Sequence, residues 1–214
     1  MNRVDHIIWD WNGTLVDDAQ LCVNIVNDIL AELRIPEVSL QFYRDHFSFP
    51  VRTYYKKIGL PVGDESYREI SEKFISEYRR LWRSCSLQSN AHSVLSQLAE
   101  FGISQSILSA AKSTDLCAFV GEFGLSPFVD PITGVSNIDA AGKIDISLGH
   151  LASLNYDPTS ILLVGDTVHD EEVANHLGVR SLIFTGGHNS SDALKGCASE
   201  LIDDLQQVLF RVIV

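Results

Sequence analysis

The chain has 214 residues, of which 45% are hydrophobic and 21% charged, a composition typical of a globular protein with room for a core and a smaller unit. Its formal net charge of −12 argues against a nucleic-acid-binding surface, which needs a basic patch. No apolar run approaches the roughly 18 residues of a membrane span, and the N-terminus leads directly into a predicted strand, so we expect a cytoplasmic protein. The cysteines lack metal-binding spacing, and we expect reduced, largely buried thiols at Cys22, Cys85, Cys117 and Cys197.

Apolar and β-branched segments predict four buried strands, at residues 4–10, 103–109, 160–165 and 180–185. Helical patterns separate the later segments, and the one over residues 170–178 ends at Gly178, a common helix stop. Strands that alternate with helices favour a parallel sheet covered on both faces. The predicted fold class is therefore α/β, with a Rossmann-like, doubly wound parallel sheet.

About 90 residues between the first two predicted strands carry helical periodicity instead. The apolar stripes in this region are Leu21, Ile25, Val26, Ile29, Leu30 and Leu33, and Ile70, Phe74, Ile75, Tyr78, Leu81 and Trp82. A crossover of this length is too long for one helix. We predict an all-α unit over residues 17–86, inserted into a core formed by residues 1–16 and 87–214.

Polar side chains that suit phosphate chemistry lie mostly at the ends of the predicted strands. Asp10 comes directly after the first strand and is followed by Gly13 and Thr14, at the sheet edge where α/β proteins place their ligands. Ser109 ends the second predicted strand and Asp166 follows the third, whereas Asp170 begins a helical pattern and Lys143 follows no predicted strand. Taken alone, Ser109 is typical of a helix N-cap, Lys143 of a solvated surface, and Asp170 of a favourable charge at a helix N-terminus.

In order and spacing, these residues resemble the four motifs of the haloacid dehalogenase superfamily. Asp10 matches the nucleophilic carboxylate of motif I, Ser109 the hydroxyl of motif II, and Lys143 the lysine of motif III. The run from Gly165 through Asp166 to Asp170 matches the acidic motif IV. The helical insert also falls where the superfamily carries an all-α cap. The overall organisation looks most like the phosphoglycolate phosphatase-like branch.

The resemblance implies a magnesium-dependent phosphatase that acts on a small phosphorylated metabolite through an aspartyl-phosphate intermediate. The implied Mg²⁺ ligands are Asp10, Asp166, Asp170 and the backbone carbonyl of Asn12. The implied phosphoryl-binding groups are Ser109, the N–H of Ala110, and Lys143. In the cap, Arg52 lies in a stretch that commonly meets the substrate in the superfamily, and its donors suit a carboxylate or a phosphate. The oligomeric state and the identity of the substrate stay open.

Asn12 departs from motif I, since the phosphatases carry there an Asp that protonates the leaving group and later activates water. An amide cannot exchange a proton, and general acid–base catalysis is worth about 10²–10⁴-fold in rate. Three explanations remain. The substrate has a good leaving group, such as an acyl phosphate or pyrophosphate; a histidine supplies the proton; or the chain is a weak or inactive enzyme. The candidate histidines are His46, His169 and His188, of which we expect His169 in an exposed loop and His188 at the rim of the site.

Three other functions are weighed against the phosphatase. A non-catalytic phosphate-binding or regulatory protein would retain the metal site without turnover. Dehalogenase members of the superfamily work without metal, so the retained acidic motif argues against that reaction. Phosphonatase members form a Schiff base with a cap lysine. Lys56 or Lys57 could serve, but nothing in their context indicates a depressed pKa.

Overall fold

A computed structural model describes residues 3–136 and 142–212 of the chain. Residues 1–2, 137–141 and 213–214, which belong to the predicted core, lie outside the described ranges. Within those ranges the strands are β1 (His6–Trp9), β2 (Val16–Asp17), β3 (Ser86–Leu87), β4 (Ser104–Lys112), β5 (Ile132–Val135), β6 (Ile161–Gly165), β7 (Arg180–Phe184) and β8 (Glu200–Ile202). The α-helices there are α1 (Ala19–Glu32), α2 (Leu40–His46), α3 (Val51–Lys57), α4 (Asp64–Leu81), α5 (Ala91–Glu100), α6 (Ser113–Glu122), α7 (Ile144–Leu154), α8 (Val168–Leu177) and α9 (Gln207–Val212).

A parallel sheet of six strands, in the order β5-β4-β1-β6-β7-β8, forms the centre of the fold. This arrangement confirms the predicted α/β class with a doubly wound parallel sheet. β1, β4, β6 and β7 correspond to the four predicted strands. The sequence analysis missed β5 and β8, because these short edge strands are only partly buried and lack a continuous apolar run.

The position of β1 in the sheet determines where the site lies. All four residues of β1 are buried, and Trp9 pairs with Ile107 of β4 on one side and Val164 of β6 on the other. After β1 the chain therefore builds β4 and β5 on one side, and then β6, β7 and β8 on the other side of β1. In such sheets a crevice opens at the carboxyl ends of the strands where the order reverses. Asp10, the residue after β1, lies at that edge.

Helices α1 to α4 follow β2 and precede β3, in the region predicted to be all-α. The two short strands form an antiparallel pair, with Val16 opposite Leu87, so the segments that enter and leave the helical region run side by side. One apolar cluster extends from the sheet into these helices. The division of the chain into a core and a cap at residues 17–86 stays a prediction. The C-terminal stop predicted at Gly178 is confirmed, since this residue ends α8 with a φ of 68°.

Two features predicted from composition can be compared with the fold. No helix in the described part of the chain is both long and apolar enough to cross a membrane. The expectation of largely buried thiols is wrong for Cys117, which is exposed on α6, whereas Cys22 on α1 is buried. Cys117 lies on the solvent-facing side of α6, whereas the apolar side of this helix packs on the sheet.

Candidate active site

Three carboxylates meet at the carboxyl edge of the sheet. Asp10 follows β1, while Asp166 and Asp170 lie after β6 and at the start of α8. One oxygen from each lies within 4.8 Å of the others. Asp166 is fully buried and Asp170 nearly so, while the Asp10 side chain is 12% exposed toward the cavity. The structure thus brings together the three acidic residues that the motifs singled out.

Lys143 lies among these carboxylates and is not a surface lysine. Its Nζ is 2.5 Å from Asp10 Oδ1 and 2.7 Å from Asp170 Oδ1, and it donates a third hydrogen bond to the Leu108 carbonyl at 3.0 Å. Burial opposes the ammonium charge, but the two carboxylates outweigh it and raise the pKa of Lys143. The lysine is therefore a fixed cation beside Asp10.

The carboxylates of the site are held in place by neighbouring donors. Thr14 donates to Asp166 Oδ1 at 2.7 Å, and the backbone N–H of His188 donates to Asp166 Oδ2 at 2.6 Å. A side chain at Gly13, whose φ is +79°, would overlap the Asp166 carboxylate. Asp170 accepts from the Thr167 N–H at 2.9 Å and forms a capping box with it at the start of α8. Asp170 thus caps a helix, as its sequence position alone suggested, and also belongs to the carboxylate cluster.

Ser109 and Ala110 face the same space from β4. The Ser109 side chain is buried, and its Oγ accepts from the Ala111 N–H at 3.0 Å, which leaves the hydroxyl proton to donate elsewhere. Ser109, Ala110 and Lys143 line one cavity with Asp10. Their placement suits binding of phosphoryl oxygens, and that role stays a prediction.

The donor set of the cluster fits a hard divalent cation. Burial raises the pKa of Asp10 to about 8, an increase that Lys143 partly offsets and that Asp170 and Asp166 reinforce. Burial likewise raises the pKa of Asp166 to about 6. Crowded, buried carboxylates of this kind are stabilised as anions by a cation, and an all-oxygen set suits Mg²⁺. The residues present therefore fit the implied ion.

Asn12 is tied to a residue that the sequence analysis did not single out. Its Nδ2 donates to Asp18 Oδ2 at 2.6 Å and to the Tyr78 hydroxyl at 2.9 Å, and that hydroxyl itself donates to Asp18 Oδ2. The Gly13 N–H and His188 Nε2 bind the other oxygen of Asp18. Because a carboxylate only accepts hydrogen bonds, the contact with Asp18 fixes which end of the Asn12 amide carries the nitrogen.

Asp18 escaped notice because an Asp directly before an apolar helix is typical of an N-cap. In the structure it precedes α1 but makes no side-chain cap bond. Burial would raise the pKa of Asp18, yet His188 and the neighbouring hydrogen-bond donors outweigh it and lower the pKa overall. The sequence did contain one signal for Asp18: this carboxylate comes six residues after Asn12, which stands where motif I carries an Asp.

The candidate histidines have different surroundings. His188 is buried with both ring nitrogens engaged, Nδ1 by the Tyr43 hydroxyl at 2.8 Å and Nε2 by Asp18 at 3.1 Å. Burial would lower the pKa of His188, but Asp18 raises it to about 9. The expectation of an exposed loop for His169 is wrong. It lies in the first turn of α8, where the Phe49 ring covers it, its Nε2 accepts from the Lys143 N–H, and its Nδ1 contacts Glu172.

His46 and Arg52 do not line the cavity. His46 lies at the end of α2, where its Nδ1 contacts the Phe42 carbonyl. The Arg52 guanidinium binds the Val62 carbonyl and Asp64, and it packs over the Tyr67 ring. The structure thus engages Nε and one terminal nitrogen of Arg52 within the helical region and gives no support to its predicted contact with substrate.

The site opens into a cavity of about 160 Å³ between the sheet edge and α1 to α4. Its wall beyond the carboxylates is mostly apolar. The aromatic residues of that wall include Phe47, Phe49, Tyr54, Phe74, Tyr78 and Phe119. The lining cations are Lys143, Arg79, Lys112 and the His188 ring, whose raised pKa of about 9 keeps it charged at neutral pH. Arg79 is bound to Asp115 through Nε at 2.9 Å and a terminal nitrogen at 2.8 Å.

Comparisons with known proteins agree with this geometry. The family model described as "Haloacid dehalogenase-like hydrolase" matches residues 7–184. The phosphoglycolate phosphatase of Synechococcus elongatus is 23% identical over 211 residues, covering 96% of each chain. The tyrosine-protein kinase PtkA of Mycobacterium tuberculosis is also 23% identical, over 95% of this chain and 72% of its own length. A haloacid dehalogenase-like family hydrolase from Streptococcus pneumoniae has the same fold, with a TM-score of 0.83, 20% identity and 99% of each chain covered.

Proposed function

Since the chain belongs to the haloacid dehalogenase-like hydrolase family, we propose that it is a magnesium-dependent phosphatase of a small phosphorylated compound. The observation that carries this proposal is the buried group of Asp10, Asp166 and Asp170 around the Lys143 ammonium. A carboxylate held next to a fixed cation is poised as a nucleophile toward phosphorus. The curated relatives named as phosphoglycolate phosphatases support the same reaction class.

In the first step, an Asp10 carboxylate oxygen attacks phosphorus in line with the ester oxygen. The bond from phosphorus to that oxygen breaks, its electron pair leaves with the alcohol, and an aspartyl-phosphate forms on Asp10. Lys143 keeps Asp10 oriented through its contact with Oδ1 and offers positive charge to the phosphoryl oxygens. The Ser109 hydroxyl and the Ala110 N–H bind the remaining oxygens.

In the second step, water attacks the aspartyl-phosphate, the bond from phosphorus to Asp10 breaks, and inorganic phosphate and the Asp10 carboxylate are released. Mg²⁺ held by Asp10, Asp166, Asp170 and the Asn12 carbonyl would offset the repulsion between the carboxylate and the phosphoryl group. Asp166 is already oriented for this by Thr14 and the His188 N–H. Asn12 supplies no proton transfer in either step.

The second candidate function is a non-catalytic or very weakly active phosphate-binding protein. The observation that favours it is the fixed Asn12 amide, since the position of the usual proton donor is taken by a group that cannot titrate. Such a protein would bind Mg²⁺ and inorganic phosphate at the same residues and release no product. The two candidates therefore differ in turnover rather than in ligands.

Phosphate release from acetyl phosphate tests the proposal, because this substrate has a good leaving group and needs little protonation. We expect release that requires both Mg²⁺ and Asp10, with the Asp10→Asn variant as the blank for spontaneous hydrolysis. Release at the same rate by this variant would overturn the proposal. Calorimetric binding of Mg²⁺ and inorganic phosphate without any turnover would instead support the non-catalytic candidate.

A further inference from the structure

The helical side of the cavity offers an apolar, aromatic surface to whatever leaves with the ester oxygen. Phe74 and Tyr78 of α4 lie with nearly parallel rings, 6.2 Å between centroids, and Tyr78 meets Phe119 of α6 at 5.9 Å. Phe47 and Phe49, which line the same cavity, stand edge to face at 5.4 Å. Against these ring faces, carboxylates and sugar hydroxyls would lose hydration without gaining a polar partner from the rings, whereas an apolar group gains from burial.

The size of the cavity limits the leaving group to about one ring. An apolar cavity of about 150 Å³ binds benzene, and the space here is about 160 Å³. The phosphoryl group beside Asp10, Ser109 and Lys143 takes part of this space, so a single ring is the upper limit on the leaving group. An extended chain or a second ring would therefore not fit without movement of the helices.

The surroundings of Asn12 limit the chemistry of the leaving oxygen independently. Both Asn12 N–H bonds are directed away, to Asp18 and to the Tyr78 hydroxyl, and the Tyr78 proton is directed to Asp18. Among the described residues, the groups at this position therefore present no proton to an oxygen that departs from phosphorus. A phenol ionises near pH 10, about six units below water, so a phenolate departs without that proton far more readily than an alkoxide.

We propose that the substrates of this site are aryl phosphates, monoesters of a single phenolic ring whose face packs on the wall formed by Phe74, Tyr78 and Phe119. This inference rests on the proposed phosphatase function and names its substrate class. The phosphorus–oxygen bond breaks as the Asp10 carboxylate attacks, the electron pair leaves on the phenolate, and bulk water protonates the released phenolate. Water then cleaves the aspartyl-phosphate to Asp10 and inorganic phosphate.

Four substrates separate ring fit from leaving-group chemistry. They are phenyl phosphate, cyclohexyl phosphate, phosphoglycolate and acetyl phosphate, each assayed with Mg²⁺. Cyclohexyl phosphate matches phenyl phosphate in bulk but leaves as an alkoxide. We expect kcat/KM for phenyl phosphate to exceed that for cyclohexyl phosphate by about 10²-fold or more, and to exceed that for phosphoglycolate by at least about tenfold.

A substitution on the wall tests the ring contact directly. Phe74→Lys brings a cation to the aromatic wall, and we expect kcat/KM to fall about tenfold for phenyl phosphate and to rise for phosphoglycolate. Phe42→Lys is the matched control, since Phe42 is 36% exposed on α2 and lies outside the cavity lining. If Phe74→Lys does not fold, Phe74→Leu retains the apolar wall without the ring, and phenyl phosphate should still lose several-fold in kcat/KM.

The outcomes distinguish failure of the aryl substrate class from failure of the proposed phosphatase activity. Hydrolysis of acetyl phosphate with phosphoglycolate equal to or better than phenyl phosphate would overturn the aryl substrate class and leave the phosphatase standing. Equal rates for phenyl and cyclohexyl phosphate would also overturn it. Failure with all four substrates, acetyl phosphate included, would count against the proposed function itself.

Discussion

The side-chain amide of Asn12 donates to the carboxylate of Asp18, with 2.6 Å between Nδ2 and Oδ2. The position where related phosphatases carry an acid therefore holds an amide, and a carboxylate lies directly behind it. Asp18 is fully buried, and the Gly13 N–H, Tyr78 and His188 also contact it. Replacement of either residue will therefore change the hydrogen bonding of the other.

Asn12→Asp should raise kcat by about 10²-fold for cyclohexyl phosphate and much less for acetyl phosphate, because a titrating group helps poor leaving groups most. The substitution also sets two carboxylates in contact, so one of them keeps a proton. We expect the free energy of unfolding to fall by about 1–3 kcal/mol. The double variant Asn12→Asp with Asp18→Asn should recover part of that loss, because the donor and acceptor between the two positions are exchanged while His188 loses its carboxylate partner.

A control is needed because Asn12 precedes Gly13, a pair prone to deamidation that would create aspartate in aged samples. Peptide mass spectrometry should accompany each assay. Equal rates for fresh wild type and Asn12→Asp on every ester would mean that another group already supplies the proton.

Asp10→Asn should abolish turnover, by more than about 10³-fold, and leave the fold intact. The amide has nearly the same shape as the carboxylate but cannot attack phosphorus. Lys143 retains its contacts with Asp170 and the Leu108 carbonyl, so its charge is not left unpaired. Steady-state phosphate release and thermal unfolding check the two parts. Loss of both together would place Asp10 among the structural residues instead.

Mg²⁺ affinity should weaken as the pH falls below about 8. Burial raises the pKa of Asp10 to about 8 and that of Asp166 to about 6 in the absence of metal, so protons compete for the same oxygens. The expected loss is up to about tenfold per pH unit while one proton is displaced. Calorimetry at pH 6, 7 and 8, in two buffers of different ionisation enthalpy, measures both the affinity and the protons released. An affinity independent of pH would contradict a carboxylate site.

His188 should make stability depend on pH on the alkaline side. Its folded-state pKa is raised to about 9 from 6.5, so its contribution is complete below about pH 6.5 and is lost as the pH rises through 9. The difference corresponds to about 3 kcal/mol. Asp10, whose pKa is also raised, changes in the same direction, so the test compares wild type with His188→Gln in the absence of Mg²⁺. Denaturant unfolding at pH 6, 7.5 and 9.5 should show that the difference in the free energy of unfolding between the two proteins shrinks as the pH rises. His92 is exposed, so the His92→Gln variant should follow the wild type at each pH.

The sequence predicted the central strands and most of the candidate site because each depends on local patterns. Buried parallel strands such as β1 and β6 are continuous apolar runs, and Asp10 and Asp166 directly follow them. Edge strands carry no such run, so β5 and β8 were missed. The position of Lys143 came from the family resemblance alone, since nothing in its neighbours indicates that it is buried.

The contacts that distinguish this site join residues far apart in the chain. Asp18 and His188 are separated by 170 positions, and Tyr43 and His188 by 145. Neither hydrophobic periodicity nor motif spacing predicts a contact between residues so far apart in the chain. Arg52 illustrates the same limit, since its contacts with Val62 and Asp64 could not be read from the stretch of sequence around it, and its contact with substrate stays a prediction.

The contacts between α2 and the loop after β7 imply a thermodynamic coupling between the helices and the metal site. Tyr43 binds the His188 ring, the Arg44 guanidinium donates to the Gly186 carbonyl, and the His188 N–H holds Asp166. Any outward motion of α2 removes the support of the loop that orients Asp166. By reciprocity, a ligand that binds Asp166 more tightly while the loop is held in place would also favour the contacts between α2 and that loop, and Mg²⁺ at the proposed site would be such a ligand. Ion binding and the packing of α2 against the loop would then be coupled parts of one equilibrium.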